Sequence, residues 1–306
     1  MIRHLLIRWL ITIAAGALAA IASPVHAAVC RGQIGAGTTV TGKTAYNPFS
    51  PAEITDSYQI GISNTGADPC LYALVFRSKA VQPRLGGTLL YGLADRANAA
   101  LLTNAPSVMA PAARLRTPLA PAATTQIEYQ LAIPRGQYAA PAGSYRDTLE
   151  LELYALDESG RLVGAPLQAT TLSVSYAVAR VLSVNIKGAD ATATVGFGTL
   201  AKGQQRTVEV QTRSNEGYRL EVLSDHRGVL ALTPKVPGQD WTVPYAATLG
   251  GRPLDLAGGA SLLDSPPTRP ESDASHLLTV SIGDVGQKRA GRYEDVITIE
   301  IKGALP

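Results

Sequence analysis

The sequence predicts an all-β fold of two tandem immunoglobulin-like sandwiches, the second lacking its final strand. Three observations carry this. Two segments 148 residues apart share one pattern. Ala142-Gly143-Ser144-Tyr145-Arg146-Asp147 runs into Thr148-Leu149-Glu150-Leu151-Glu152-Leu153, and Ala290-Gly291-Arg292-Tyr293-Glu294-Asp295 runs into Val296-Ile297-Thr298-Ile299-Glu300-Ile301. Each is a turn feeding a strand whose apolar residues fall on one face. Second, alternating runs bounded by Gly, Pro, Asn and Asp recur at 57–62, 71–76, 126–133, 206–212, 218–223 and 276–282, the pattern of many short strands. Third, no long run has helical periodicity; the one helix expected is a short piece in 93–102, where Ala and Leu cluster.

Taken in order, residues 1–27 read as a removable export signal. Arg3 and Arg8 give a charged start, 9–21 an apolar run, and Val25-His26-Ala27 a cleavage site. The apolar run is short for a bilayer span of about 20 residues. Lipidation of Cys30 is disfavoured by Val29, where a small residue is normally required. Cleavage leaves about 279 residues, enough for two domains of common size. It also lowers the formal charge from +3 to about +1, so no basic field points to nucleic acid or an anionic membrane. Cys30 and Cys70 are the only cysteines. In an exported chain they read as one disulfide closing about 40 residues, worth about 3–4 kcal/mol in the chain-entropy model.

The first domain is expected over 28–179. It contains a literal P-loop pattern, 37–44, but Pro48 disfavours the helix that must follow. A Thr/Gly-rich strand and turn is expected there, and no nucleotide. The Ala/Pro-rich stretch 94–125 reads as a long loop, and Leu101, Leu102, Val108 and Met109 are its candidate surface-binding residues. Gly143, Tyr145 and Asp147, with Gly291, Tyr293 and Asp295, are assigned structural roles, the tyrosine hydroxyl tying down a sandwich corner. A further strand, 171–178, closes the first domain.

The second domain is expected over 180–306, with six strands at 181–186, 206–212, 218–223, 241–249, 276–282 and 293–301. That is one fewer than a simple seven-stranded sandwich has. Only five residues follow Ile301. A sandwich short of an edge strand exposes an apolar groove and an unpaired backbone ladder, which invites strand addition. Ile297, Ile299, Ile301, Val280 and Ile282 are the candidate groove residues. The stretch 250–275, rich in Gly, Pro and Asp, reads as a second long loop.

Little in the chain points to chemistry. His226 and His276 are far apart in sequence and have no cysteine nearby to share a metal. Gly61-Ile62-Ser63-Asn64-Thr65 fails the nucleophile-elbow pattern at its last position. Glu150 and Glu152 alternate with leucines as a solvated strand face. The chain is therefore read as a non-enzyme with no cofactor.

The same residues carry a family resemblance. Ile133-Pro134-Arg135-Gly136-Gln137 with 141–148 resembles the spore coat protein U-like domain found in subunits of archaic chaperone–usher pili. Residues 290–301 are similar, though without that lead-in or any cysteine. Gly196-Phe197-Gly198-Thr199-Leu200 and Ser214-Asn215-Glu216-Gly217-Tyr218 also look like family segments, and Tyr46-Asn47-Pro48-Phe49 and 89–93 resemble it more weakly. The resemblance implies an incomplete immunoglobulin-like pilin fold. Its missing strand is lent by a periplasmic chaperone, then replaced at an outer-membrane usher by the N-terminal extension of an adjacent subunit. Only Ala28 and Val29 would precede Cys30 after cleavage, so the chain is expected to accept a strand without donating one. That is the layout of a two-domain tip adhesin at the cell surface, mediating attachment and biofilm formation. The alternative is a free-standing secreted β-sandwich protein whose second domain completes itself through 191–195.

Overall fold

The computed structural model describes residues 29–104, 114–189, 191–239, 241–258, 260–264 and 274–303. The export signal, Val108 and Met109 lie outside the described residues. The fold is all-β, with no helix among the described residues.

The first half contributes β1 (Gly32–Ile34), β2 (Thr39–Thr41), β3 (Ile54–Asn64), β4 (Cys70–Arg77), β5 (Arg84–Leu85), β6 (Leu89–Leu90), β7 (Gly92–Ala94), β8 (Leu102–Thr103), β9 (Leu115–Leu119), β10 (Thr124–Ile133), β11 (Gly143–Leu156) and β12 (Leu162–Val178). One sheet has the order β1-β3-β10-β7 and the facing sheet β2-β12-β11-β4-β8, with β9 also on β4. The alternation read from sequence supplies the core: Ile60 and Ile62, Leu74 and Phe76, Tyr129 and Leu131, Leu149, Leu151 and Leu153 are all buried. Each such side chain contributes about 1.5–3 kcal/mol relative to exposure.

The 93–102 stretch is strand and turn instead of helix. Asp95 Oδ1 accepts from the backbone N–H of Ala97 and of Ala99, both at 2.8 Å. That local turn outcompetes a helix. The P-loop pattern holds β2 and no following helix; a Cβ on Gly42 would collide with the Tyr176 ring.

Cys30 and Cys70 form a disulfide that ties the entry to β1 onto the start of β4. Replacing both by Ala is expected to cost the first sandwich about 3 kcal/mol. Calorimetry of the full chain reads this as a drop confined to one of two transitions.

Buried tyrosines add a pH dependence. Burial, with the hydrogen bond to Asp56 second, pushes the Tyr176 hydroxyl up to about 12. Burial raises Tyr46, Tyr58, Tyr91 and Tyr129 as well. A raised folded pKa means the neutral form is the stabilised one. The contribution is fully present below the free value of about 10 and is lost as pH rises through about 12. Melting temperature should therefore hold to about pH 9.5 and fall steeply above about pH 10. A flat profile up to about pH 12 would refute this.

The second half contributes β13 (Leu182–Ile186), β14 (Gln205–Ser214), β15 (Tyr218–Ser224), β16 (Val229–Thr233), β17 (Thr242–Leu249), β18 (Arg252–Leu254), β19 (Ala260–Asp264), β20 (Ala274–Ile282), β21 (Arg292–Glu294) and β22 (Ile297–Gly303). One sheet runs β13-β14-β20-β17-β16-β21, with β18 on β17, and the other runs β19-β15-β22. The six strands expected here are too few: 229–233 forms a strand, and 250–275 includes two more. The expected strand 293–301 is two strands, in different sheets.

None of the described strands β1–β12 pairs with any of β13–β22, and each half has its own core. The connection is pinned by Asn215, which is fully buried. Its Nδ2 donates to Ala179 O at 2.8 Å, and its Oδ1 accepts from Val181 N at 2.9 Å. Arg180 and Glu216 form an ion pair beside it.

Candidate functional site: an unpaired strand edge

The two copies of the repeat build the same bracket. Tyr145 donates its hydroxyl to Pro141 O at 2.7 Å, and Tyr293 to Arg289 O at 2.8 Å, each reaching four residues back. Asp147 accepts Thr148 N on Oδ1 and the Tyr91 hydroxyl on Oδ2, both at 2.8 Å. Asp295 accepts Val296 N on Oδ1 at 2.8 Å and the Tyr245 hydroxyl on Oδ2 at 2.6 Å. It also takes Ser224 Oγ at 2.6 Å and His226 N at 3.0 Å. A Cβ on Gly291 would press on the far end of the Leu232 side chain, which would have to shift; Gly143 has open space but a φ of +154°, a backbone conformation that disfavours a side chain.

Ser224, His226 and Asp295 thus meet, though nothing in their spacing announces it. They do not make a nucleophilic triad. The Ser224 proton goes to Asp295 and its oxygen accepts Gly228 N at 2.7 Å, while His226 Nδ1 faces Asp295 and Glu294 O. Among the described residues Ser224 makes no hydrogen bond to the His226 imidazole, the contact a serine nucleophile needs in such a triad. The arrangement fixes a corner.

The copies differ in what flanks the strand that follows. β11 pairs with β12 on one edge and β4 on the other, and its leucines at 149, 151 and 153 are 0–1% exposed. β22 pairs with β15 on one edge; among the described residues its other edge has no partner. Ile297, Ile299 and Ile301 are only half-buried. The break at Asp295-Val296 follows from the same difference. β12 runs alongside almost all of β11 and holds it as one strand. Without such a spine, the second copy hands over from β16 to β15.

Beside this edge lies a groove of about 890 Å³. Val184 and Ile186 of β13, Val208 and Val210 of β14, Leu278 and Val280 of β20, and Ile297 and Ile299 of β22 line it, with Tyr245 and Asp295. Of the groove residues expected from sequence, Ile297, Ile299 and Val280 stand in it. Ile301 lies further along β22, packed on the second core. Ile282 is a correction: it is 2% exposed and pairs with Tyr245 inside the sheet, so it is core. Val184, Ile186, Val208 and Val210 line it as well; the alternation of 181–186 and 206–212 marks them as one-faced but does not say which face meets the groove. The alternative closure through 191–195 is also corrected. That segment borders the groove and forms no strand.

Of the candidate binding loop, Leu101 is corrected, while Val108 and Met109 lie outside the described residues. Leu101 is 0% exposed and belongs to the first core, so it presents nothing to a surface. Leu102 pairs with Phe76, opposite Leu151 and midway along β11. β12 ends at the connection to the second half, so the far pole is the opposite end, where β11 turns into β12. There lie 65–69, 120–123, 157–161 and Val29, beside the exposed Val163 and Leu167.

No protein-family model matches the chain, and no curated protein matches it. Several solved structures align over most of its length, among them the following three. The CsuC–CsuE chaperone–tip adhesion subunit pre-assembly complex from archaic Csu pili of Acinetobacter baumannii is 13% identical, covering 88% of this chain and 100% of that chain at a TM-score of 0.46. The CupB6 tip adhesin from Pseudomonas aeruginosa is 10% identical, covering 89% and 93% at 0.42. The CFA/I adhesin CfaE of enterotoxigenic E. coli, solved as a point mutant, is 12% identical, covering 88% and 92% at 0.38. TM-scores this low transfer no residue or partner.

Proposed function

We propose that this chain is an adhesive tip subunit of a chaperone–usher pilus. In this reading 1–27 is its export signal, 28–179 a self-complete adhesin-type sandwich, and 180–306 a pilin-type sandwich that accepts a donor strand. One observation carries it: β11 has a partner strand on each edge, while its sequence twin β22 has one among the described residues, beside an apolar groove. Strand addition is the recognition mode such an edge supports. The resemblance to pilus subunits names the partners: a periplasmic chaperone first, then the usher and an adjacent subunit. A complete sandwich joined to an open one divides the work, since only the open one needs a partner to finish folding. The complete one is free to present the far pole, with Val29, Val163 and Leu167 exposed beside the turns at 65–69, 120–123 and 157–161.

A site-specific crosslink tests the reading. A photo-reactive residue at Thr298, between the two groove isoleucines, should capture the edge strand of a β-sandwich chaperone in the periplasm. Mass spectrometry should place the bond on an alternating apolar segment. Absence of a crosslink there, with the chain folded and monomeric, would sink the acceptor assignment and leave a free-standing secreted sandwich. Val163→Asp with Leu167→Asp should reduce surface attachment while pili still assemble; unchanged attachment would clear the far pole of that role.

A further inference from the structure

We infer that the two sandwiches turn as one rigid body, because residues 179–181 between them form a structured joint locked by the side chain of Asn215. This holds whether or not the groove accepts a strand. Domains in tandem ordinarily swing about their connection unless a large apolar interface holds them. Here a buried polar bracket takes that role.

β12 ends at Val178 and β13 begins at Leu182, so the connection is only 179–181. The backbone N–H and C=O groups of Ala179 and Val181 are all taken. Ala179 N donates to Tyr46 O at 2.8 Å. The other groups go to Asn215. Its Nδ2 donates to Ala179 O at 2.8 Å, its Oδ1 accepts from Val181 N at 2.9 Å, and its backbone N donates to Val181 O at 3.4 Å. With the residues on both sides of Arg180 held, a swing must break several of these bonds together.

The Asn215 amide also reaches into the first sandwich, donating to Ala140 O at 3.4 Å. The turn that carries Ala140 is itself anchored. Ala140 N donates to Gln137 O at 3.1 Å, Gln137 N donates to the Tyr46 hydroxyl at 3.0 Å, and that hydroxyl donates to Pro134 O at 2.9 Å. Tyr46 lies in the first core and is fully buried. One core residue therefore supports both walls of a socket, Ala179 through its carbonyl and the 134–140 turn through its hydroxyl. Asn215 fills that socket from the second sandwich and is fully buried there.

The first sandwich carries the same device at its far pole, which shows what is particular about the joint. A Ser-Asn-x-Gly sequence stands at 63–66 and at 214–217. Asn64 donates to Asp68 O at 2.8 Å and Leu119 O at 3.2 Å, and accepts from the Tyr72 hydroxyl at 2.8 Å. Those partners lie in its own sandwich. Asn215 instead grips the connection and the sandwich before it.

Residual dipolar couplings of the full chain test this. Couplings from β1–β12 and from β13–β22 should fit a single alignment tensor. In Asn215→Ala, which empties the socket, the two halves should require separate tensors while the amide shifts within each core stay in place. Replacing 179–181 with a flexible Gly/Ser linker of about ten residues removes what Asn215 holds in the connection and leaves both cores intact. It should separate the tensors too, and it decides the matter even if Asn215→Ala unfolds the second sandwich. Separate tensors in the unaltered chain would overturn the inference. A single tensor retained by the folded Asn215→Ala chain, or by the linker chain, would overturn the joint as the cause of rigidity.

Discussion

Appending the strand sequence of 168–179 after Pro306 should raise the melting temperature of the second sandwich by about 10 °C or more, at about 3 kcal/mol of added stability. The sequence is chosen from the molecule itself. On β11, that stretch places Leu172, Val174, Tyr176 and Val178 inward, all 0–4% exposed. The register opposes Leu172 to Leu149 and Tyr176 to Tyr145. The corresponding partners on the second copy are Ile297 and Tyr293. Each apolar side chain entering the groove contributes about 1.5–3 kcal/mol before the ordering cost, and the half-exposed isoleucines gain cover as well. A control strand with Asp at the Leu172, Val174 and Tyr176 positions should give no rise. Equal, cooperative melting with and without the apolar strand would mean that the second sandwich is already self-sufficient.

Asp295→Ala should destabilise the second sandwich by about 3 kcal/mol, because it strands the hydroxyl donors of two buried residues, Ser224 and Tyr245, and frees two exposed backbone N–H groups as well. The carboxylate is 2% exposed and accepts from Tyr245, Ser224 and two backbone N–H groups. The matching change in the first copy, Asp147→Ala, removes acceptors from only Tyr91 and Thr148 N. Its cost should be smaller, about 1–2 kcal/mol. Calorimetry of each variant reads the two values. Equal losses would show that the extra hydrogen bonds around Asp295 contribute nothing.

Much of the fold is legible in the chain because strand alternation is a local property. Leu149, Leu151 and Leu153 announce one face, and their twins at 297, 299 and 301 repeat it. What sequence does not disclose is decided by neighbours. Leu101 sits in an Ala/Pro-rich stretch that reads as a surface loop, yet its amide bonds Leu93 O and its side chain enters the core. The strand 293–301 reads as continuous, because nothing in its own residues records that a flanking strand is absent. Ile282 and Val280 are indistinguishable by pattern, and only the sheet puts one in the core and the other in the groove. The meeting of Ser224, His226 and Asp295 joins segments about 70 residues apart and leaves no local trace.

The hairpin that joins β11 to β12 has a thermodynamic consequence. Its five intervening residues keep β12 beside its acceptor edge, so the first sandwich closes by an intramolecular step whose balance is independent of concentration. If the second groove is filled from outside, its stability must follow mass action, rising with the free concentration of the incoming segment. Dilution should then separate the two halves: one transition stays fixed while the other slides downward.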